Sequence, residues 1–257
     1  MKIAAWNVNS IRARLPRALE WLGAAAPDVV LLQETKVADE RFPREPLEDQ
    51  GYNVALRGEA GGRNGVAILA RSPIEDVVAT LPGAGGDAEA RYIEGFVRGV
   101  RVASVYVPNG TSVGSDRFAY KLDFLRRLRD HARDLLDLEE ALVIGGDYNV
   151  APTPADVYDH EALDGTVCYH PDERARLRAI LNLGLYDAFR TRHPTSRRFS
   201  WWPYQGRAHD LDRGMRIDHL LLSPQAVDRL EECAIDDAGR AGPAASDHAP
   251  VWCALAD

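Results

Sequence analysis

Short apolar runs recur along the whole chain and are separated by polar or glycine-rich segments. Runs of this length, rich in β-branched and other apolar residues, are typical of buried β-strands. The pattern predicts strands within KIAAWNV, DVVLLQE, GVAILA, YIEGFVRGVRVASVYVP, ALVIGGDYNV, RIDHLLLS and PVWCALA. Strands therefore extend from one end of the sequence to the other.

Helical periodicity is confined to a few segments. Apolar residues at helical spacing predict helices over about residues 14–25, 116–136 and 172–182, and a shorter helix near Tyr186–Phe189. Helices are too few and too unevenly placed for a strictly alternating βαβ fold. Many strands with a few long helices predict two packed sheets flanked by helices, an α/β sandwich forming one domain over residues 1–257.

Composition is that of an ordinary soluble protein, with 257 residues, 46% hydrophobic and 27% charged. No apolar stretch approaches the roughly 18 residues that span a bilayer, so no membrane association is expected. The three cysteines, Cys168, Cys233 and Cys253, are too few and too scattered for a disulfide framework or a metal knuckle. This favours a reducing compartment and predicts a cytoplasmic protein.

The net charge of −8 argues against a general nucleic-acid binder, which usually carries a basic surface. However, acids at a metal site add to the negative total while they attract a cation, and the cation then attracts phosphate. Charge alone therefore leaves the partner open.

Polar residues stand where the predicted strands end. In LVIGGDYNVAP, Asp147 and Asn149 are two residues apart, so strand geometry places them on the same side. Strand-end loops are where functional sites assemble in layered α/β proteins. Each such residue alone has an ordinary interpretation as a turn or surface residue, but together they predict a shared site. The set comprises Asn7, Asn9, Glu34, Tyr106, Asn109, Asp147, Asn149, Asp218, Asp247 and His248.

The segments WNVNSIRAR, LLQETKV, YVPNG with the KLDFL helix, IGGDYNVAP, FSWWPY, RGMRIDHLLLS and SDHAPV follow one another in this order. With them, nearly the whole chain resembles the exonuclease III family of abasic-site (AP) endonucleases, within the endonuclease/exonuclease/phosphatase superfamily. The resemblance implies a DNase I-like four-layer αββα sandwich of two mixed, mostly antiparallel sheets. It also implies hydrolysis of the phosphodiester 5′ to abasic sites, with 3′–5′ exonuclease and 3′-end-trimming activity on double-stranded DNA.

A metal site is part of what the resemblance implies. Glu34 is expected to be the main ligand, with Asn9 and Asp247 near or in the metal sphere. Oxygen ligands of this kind suit Mg²⁺, with Mn²⁺ as an alternative. Whether one or two ions take part is left open.

Asp147 is expected, by the same resemblance, to act on a proton with assistance from Asn149. Two roles stay open for it, activation of the attacking water and protonation of the leaving group. The Gly145-Gly146 pair just before it is interpreted as room for a substrate phosphate to approach the backbone.

His248 is expected to hydrogen-bond the scissile phosphate, held in the right tautomer and charge state by Asp218. Tyr106 and Asn7 are expected to complete the contacts to the phosphate and the leaving oxygen, and Asn109 to bind substrate.

Substrate choice is expected to lie in FSWWPYQGRAHDLDRGMRID. Family likeness implies that Trp201, Met215 and Ile217 line a small apolar pocket for a flipped-out sugar that lacks its base. Arg207, Arg213 and Arg216 are expected to meet the DNA backbone phosphates. Asp212 stands where the family usually has asparagine.

An acid at position 212 would repel phosphate unless it pairs with a cation such as Arg213 or turns away. This departure from the family pattern predicts weaker DNA binding.

Two other classes of function compete with this interpretation. One is a phosphoesterase of the same fold that acts on a small phosphate ester or phospholipid headgroup, to which the net charge of −8 lends some weight. The other is an inactive relative that only binds a partner, which the full set of polar strand-end residues disfavours. The expected partner is double-stranded DNA with abasic sites or blocked 3′ ends, bound by a monomer.

Overall fold

Two six-stranded sheets form the centre of the computed structural model, which describes residues 1–83, 89–240, 242 and 244–256. The strands are β1 (Lys2–Asn7), β2 (Val29–Gln33), β3 (Asn53–Arg57), β4 (Val66–Ala70), β5 (Glu75–Val78), β6 (Tyr92–Val97), β7 (Val100–Tyr106), β8 (Ala141–Asp147), β9 (Tyr186–Asp187), β10 (Asp218–Leu222), β11 (Leu230–Ile235) and β12 (Val251–Leu255). The α-helices are α1 (Ile11–Ala25), α2 (Arg44–Glu48), α3 (Asp116–Leu136), α4 (His160–Leu163), α5 (Pro171–Leu181), α6 (Ala188–Arg192) and α7 (Pro224–Val227). Every predicted strand segment contains at least one of these strands.

The two sheets are built in the same way. The first has the strand order β11-β12-β1-β2-β4-β3 and the second the order β5-β6-β7-β8-β10-β9. Among the described strands, each sheet has one parallel pair, β1 with β2 and β7 with β8, and its other pairs are antiparallel. Parallel neighbours need a crossover connection, which α1 and α3 provide.

Both faces of the first sheet are buried, as β1 illustrates. Ile3 and Ala5 belong to the core between the two sheets, whereas Ala4 and Trp6 belong to the core under α1. The rings of Trp6 and Trp21 of α1 lie 5.2 Å apart. The alternation follows from the two-residue period of a strand.

The second sheet is covered by helices in the same way. Phe124 and Leu128 of α3 and Leu177 of α5 pack with Leu142 and Ile144 of β8. Helices therefore lie outside both sheets, and the predicted αββα sandwich is confirmed.

Helix bounds agree closely with the predicted ones for α3 and α5. Helix α1 begins earlier than predicted, at Ile11, because the Ser10 hydroxyl accepts a hydrogen bond from the Ala13 amide at 3.4 Å. The helix predicted near Tyr186–Phe189 begins only at Ala188, because the two preceding residues pair with β10 as strand β9. None of the described helices is both long and apolar enough to cross a bilayer.

The interpretation of Gly145 and Gly146 as room for a phosphate is wrong, because both glycines are buried in β8. A Cβ on Gly145 would lie 2.6 Å from Leu220 of β10 and 2.7 Å from Leu31 in the opposite sheet. A Cβ on Gly146 would lie 2.0 Å from the carbonyl oxygen of Val105. The pair therefore permits close packing of strands and sheets.

Candidate active site

Polar side chains from both sheets meet at one end of the sandwich. Asn7 ends β1, Tyr106 ends β7 and Asp147 ends β8, while Glu34 directly follows β2. Asp218 begins the antiparallel strand β10 and lies opposite Asp147 in the register. In both sheets the parallel strands end at this edge of the sandwich, and their antiparallel neighbours begin there. The polar side chains at these positions therefore lie close together.

One amide connects the two sheets at this edge. The Asn7 side chain donates hydrogen bonds to Glu34 Oε1 at 2.8 Å and to Asp147 Oδ2 at 3.0 Å. Glu34, Asp147 and His248 each offer one ligand atom, and these atoms all lie within 4.8 Å of one another. The first and second sheets therefore contribute jointly to one small polar centre.

Asp147 is buried and held by several donors. Its Oδ1 accepts from the Asn149 backbone amide at 2.8 Å, and its Oδ2 accepts from the Asn149 side chain at 3.1 Å. Burial raises the pKa of Asp147 to about 7, assisted by Asp218 and Glu34 and opposed by His248. A carboxyl group with this pKa can accept or donate a proton near neutral pH, so both roles left open by the sequence remain chemically available.

His248 forms an ion pair with Asp218. Its Nδ1 lies 2.9 and 3.1 Å from the two carboxylate oxygens, and Asp218 Oδ2 also accepts from the Ser200 hydroxyl at 2.6 Å. Burial alone would lower the pKa of His248, but the Asp218 and Asp147 carboxylates raise it to about 10. The imidazole is therefore protonated at neutral pH, and its Nε2 lies 3.9 Å from Asp147 Oδ2.

The three expected metal ligands lie next to one another. Asn9 donates to Asp247 Oδ1 at 2.9 Å, and its own Oδ1 accepts from Lys36 Nζ at 2.6 Å. The Lys36 ammonium also lies 2.6 Å from Glu34 Oε2. Sequence reasoning missed Lys36, although its position two residues after Glu34 in QETK was a usable signal.

This group of side chains fits a hard divalent cation. Burial raises the pKa of Glu34, yet the Asn7 amide and Lys36 more than offset it, so the pKa stays below its usual value. The pKa of Asp247 is likewise lowered by His248 and its hydrogen-bond donors despite burial. Both carboxylates are thus anionic, and they offer oxygen atoms, which Mg²⁺ and Mn²⁺ prefer. The bound ammonium of Lys36 shows that the position attracts positive charge.

Tyr106 stands beside these carboxylates. Burial and the nearby Glu34 raise the pKa of its phenol well above the usual value, so the hydroxyl stays protonated and can donate. The Arg91 guanidinium lies 4.5 Å from the centre of its ring. Asn109 donates to Asn149 Oδ1 at 3.1 Å, and its Nδ2 lies 3.6 Å from the Cys168 thiol.

The residues expected to line an apolar pocket also come together. Met215 and Ile217 are buried in one cluster with Cys168 and Tyr169, and Trp201 packs against it. The Trp201 indole donates to Asp247 Oδ2 at 3.1 Å. The apolar cluster therefore directly adjoins the expected metal ligands.

The expectation that Arg216 contacts DNA phosphates is wrong. Its side chain is 1% exposed, and its guanidinium binds Asp156 at 2.6 Å and Asp187 at 2.7 Å. A guanidinium in this position cannot reach a DNA backbone, because it is itself buried and is bound by two carboxylates. Arg213, in contrast, is exposed.

Asp212 is exposed, but its carboxylate is directed towards the protein. Its Oδ1 accepts from the Trp202 indole at 3.1 Å, and its backbone φ of 49° is left-handed. Trp202 itself is buried, as a core aromatic residue would be. The sequence left two arrangements open for Asp212, pairing with a cation such as Arg213 or turning away from phosphate. The structure favours the second.

The sequence and the fold are similar to those of several known proteins. Residues 4–248 match the model of the endonuclease/exonuclease/phosphatase family. Exodeoxyribonuclease III of Haemophilus influenzae is 34% identical, over 98% of each chain. A structure of 3′ phosphatase NExo from Neisseria bound to a product DNA hairpin is 37% identical, covers 100% of this chain and 99% of that chain, and has a TM-score of 0.97. An AP endonuclease structure from Archaeoglobus fulgidus is 36% identical, covers 99% of both chains, and has a TM-score of 0.95.

Proposed function

Because the chain belongs to the endonuclease/exonuclease/phosphatase family, to its exonuclease III type, we propose that it hydrolyses the phosphodiester 5′ to abasic sites in double-stranded DNA with Mg²⁺ or Mn²⁺. The same site also trims 3′ ends and acts as a 3′–5′ exonuclease. The observation that carries the proposal is the polar centre in which Asn7 connects Glu34 to Asp147 and Asp218 holds the imidazole of His248.

Glu34, Asn9 and Asp247 would hold the metal ion. A bound Mg²⁺ would neutralise part of the negative charge on the scissile phosphate. Lys36 Nζ contacts both Glu34 Oε2 and Asn9 Oδ1, so these two oxygen atoms already face a common positive charge, which a metal ion would have to replace.

Proton transfer is assigned to Asp147. The Asn149 amides fix its orientation, and its pKa of about 7 allows a proton to be taken from the attacking water or given to the leaving oxygen. His248 donates its Nε2–H to a non-bridging phosphate oxygen, where its positive charge opposes the negative charge that develops. Tyr106 and Asn7 donate to the phosphate and the leaving oxygen.

Substrate selection is assigned to the apolar cluster beside the expected metal ligands. Trp201, Met215 and Ile217 offer an apolar surface for a deoxyribose without a base, which has little stacking to lose on leaving the helix. Arg213 contacts the backbone phosphate near this cluster. The DNA hairpin in the Neisseria structure supports a duplex substrate for this fold.

One assay tests the proposal. A labelled duplex with a single abasic site, a nicked duplex with a 3′-phosphate, and p-nitrophenyl phosphate are each incubated with the protein in Mg²⁺ or in EDTA. We expect Mg²⁺-dependent incision that leaves a 3′-hydroxyl 5′ of the lesion, together with removal of the 3′-phosphate. Faster hydrolysis of p-nitrophenyl phosphate than of either duplex would favour the small-ester alternative. Removal of the 3′-phosphate without incision would restrict the activity to the one named for the Neisseria structure.

We further propose that residues 1–257 form one domain, that the protein acts as a monomer and that it works in the cytoplasm. A single domain is supported by the family model, which spans residues 4–248, and by the contribution of both sheets to the site. Asp257 lies outside the described residues. Sedimentation at micromolar concentration, with and without duplex, should give one protein molecule per particle.

A further inference from the structure

Lys121 lies on the inner face of α3 and is completely buried, with a side-chain exposure of 0%. Its neighbours along the buried face of the helix, Phe118, Phe124 and Leu125, are apolar. Removing an ammonium group from water is costly unless each of its donors finds an acceptor. A leucine or methionine would pack there without that cost, so the charge calls for an explanation.

All three donors of the ammonium are used. Lys121 Nζ donates to the carbonyl oxygen of Asn149 at 2.7 Å, to the carbonyl oxygen of Asn109 at 3.0 Å and to Glu173 Oε1 at 2.5 Å. Glu173 provides the counter-charge and is itself fixed, because its Oε2 accepts from the His170 backbone amide at the start of α5. The ammonium therefore has one defined position.

The two carbonyl groups belong to loops of the candidate active site. Asn109 follows β7 and Asn149 follows β8, and their side chains are joined by a hydrogen bond of 3.1 Å. Asn149 then donates twice to Asp147, from its backbone and from its side chain. A continuous path of hydrogen bonds leads from Lys121 through Asn149 to the residue assigned to proton transfer.

The loop conformations also depend on the lysine. Asn149 has a left-handed φ of 51°, which asparagine tolerates, and this turn places its carbonyl oxygen against the lysine ammonium. A Cβ on Gly110, whose φ is 96°, would lie only 3.1 Å from Lys121 Cδ. The loop after Asn109 thus closes directly over the aliphatic part of the lysine.

We propose that Lys121 is a positioning residue for the catalytic centre. With Glu173 as counter-ion, its ammonium binds a backbone carbonyl group in each of the loops after β7 and β8 and so holds the two loops together. The side chains of Asn109 and Asn149 can then form their hydrogen bond, and Asn149 orients Asp147. The predicted effect on turnover rests on the proposed function, whereas the effect on the two loops does not.

The test must separate positioning from general stability. Lys121→Met alone leaves Glu173 buried without a counter-charge, which lowers stability whatever else the lysine does. The double variant Lys121→Met with Glu173→Gln removes both charges and retains an oxygen for the cap of α5. It should recover much of the urea resistance lost by Lys121→Met, while the two backbone carbonyl groups still lack their donor.

We expect kcat on the abasic duplex to fall about 10- to 100-fold in the double variant, because Asp147 loses its fixed orientation. KM should change by less than about threefold, because Asn109 is only one of the expected substrate contacts. Glu173→Gln alone keeps the ammonium and should lose less. A double variant with the kcat of the unaltered protein would overturn the proposal.

Arg127→Met is the matched control on the same helix. Arg127 is also buried and pairs with Asp123 of the same helix. It should lower stability and leave kcat unchanged. An equal loss of kcat in this control would show that any damage to α3 suffices, and would overturn the proposal.

A second measurement does not depend on catalysis. In the DNA-free protein, the side-chain amide protons of Asn149 should exchange with solvent faster in the double variant than in Arg127→Met, as followed by NMR. Unchanged exchange would overturn the proposal even if kcat fell. If the unaltered protein cleaves no DNA, the proposed function fails, and the exchange experiment still decides the role of Lys121.

Discussion

Asp147 receives hydrogen bonds from Asn7 and from two amides of Asn149, so its carboxylate has little freedom to turn. Residues held in this way serve chemistry better than stability, because their orientation is set before substrate arrives.

We expect Asp147→Asn, Glu34→Ala and His248→Asn each to lower turnover on an abasic duplex by at least about 100-fold. The fold should be retained, since an asparagine amide in place of His248 can still donate to Asp218 from the position of the imidazole Nδ1. Single-turnover kinetics at saturating protein measures the loss, and circular dichroism checks the fold. Near-normal rates in all three variants would refute the assigned roles.

Asp212→Asn is expected to raise DNA affinity by no more than about twofold at moderate salt, because it removes a negative charge from an exposed loop of the expected DNA-binding surface but the carboxylate already turns towards Trp202. Asparagine keeps an oxygen for the Trp202 indole and tolerates the left-handed backbone, so the loop should be preserved. Asp210→Asn, exposed on the same loop, is the control. Fluorescence anisotropy in EDTA measures the DNA affinity of both variants. An equal gain in affinity in both variants would show that only the total charge of the loop matters, and not the position of Asp212.

Individual residues differ in how far the sequence reveals them. Asp147 and Asp218 could be singled out because each interrupts an otherwise apolar strand segment. Arg216 and Lys121 could not be interpreted correctly, since nothing in their neighbouring residues reports that a cation is buried against carboxylates. Whether a charged side chain points into the protein depends on partners far away in the chain.

At the scale of elements, the strands that sequence reasoning overlooked share one property. They are β3, β5, β9 and β11, and these four are the outermost strands of the two sheets. An edge strand has one neighbour and is often partly solvated, so it carries charged residues and lacks a continuous apolar run. EDVV in β5 and LEECAI in β11 illustrate this. The central strands, which carry the site, were therefore the predictable ones.

Gly145 allows the two sheets to approach each other, and Gly146 allows β7 to lie close to β8, which gives a stability prediction. Gly146→Ala should lower the free energy of unfolding by more than about 4 kcal/mol, because its new methyl group would collide with the Val105 carbonyl group. Gly23→Ala in α1 is the control: a Cβ added there would have no atom within 4 Å, and alanine should stabilise the helix by about 0.5–1 kcal/mol. Urea unfolding measures both, and a small loss at Gly146 would show that β8 can shift.

At the scale of the whole molecule, buried ion pairs join distant parts of the chain. Asp156, in the loop after β8, binds Arg216 at 2.6 Å and Arg190 of α6 at 2.5 Å. Despite burial, these arginines lower the pKa of Asp156 to about 2. Since its usual value is 3.8, the ionised carboxylate stabilises the folded state above about pH 4, and this contribution is lost as the pH falls towards 2.

Asp156→Asn should therefore lower the free energy of unfolding by about 3 kcal/mol at pH 6, because Arg190 loses the carboxylate it binds and Arg216 keeps only Asp187 of its two carboxylate partners. The difference from the unaltered protein should shrink as the pH falls from about 4 towards 2, because the unaltered protein then loses the same charge. Urea unfolding at a series of pH values tests this, and a difference independent of pH would contradict it.

The polar centre draws on residues from Asn7 at one end of the chain to His248 at the other, and β12, which follows His248, lies between β11 and β1 inside the first sheet. A chain emerging from the ribosome thus carries Glu34 and Asp147 long before it carries the histidine. A polypeptide released before residue 248 lacks both His248 and an inner strand of the first sheet. A translation product released before residue 248 is therefore expected to lack nuclease activity.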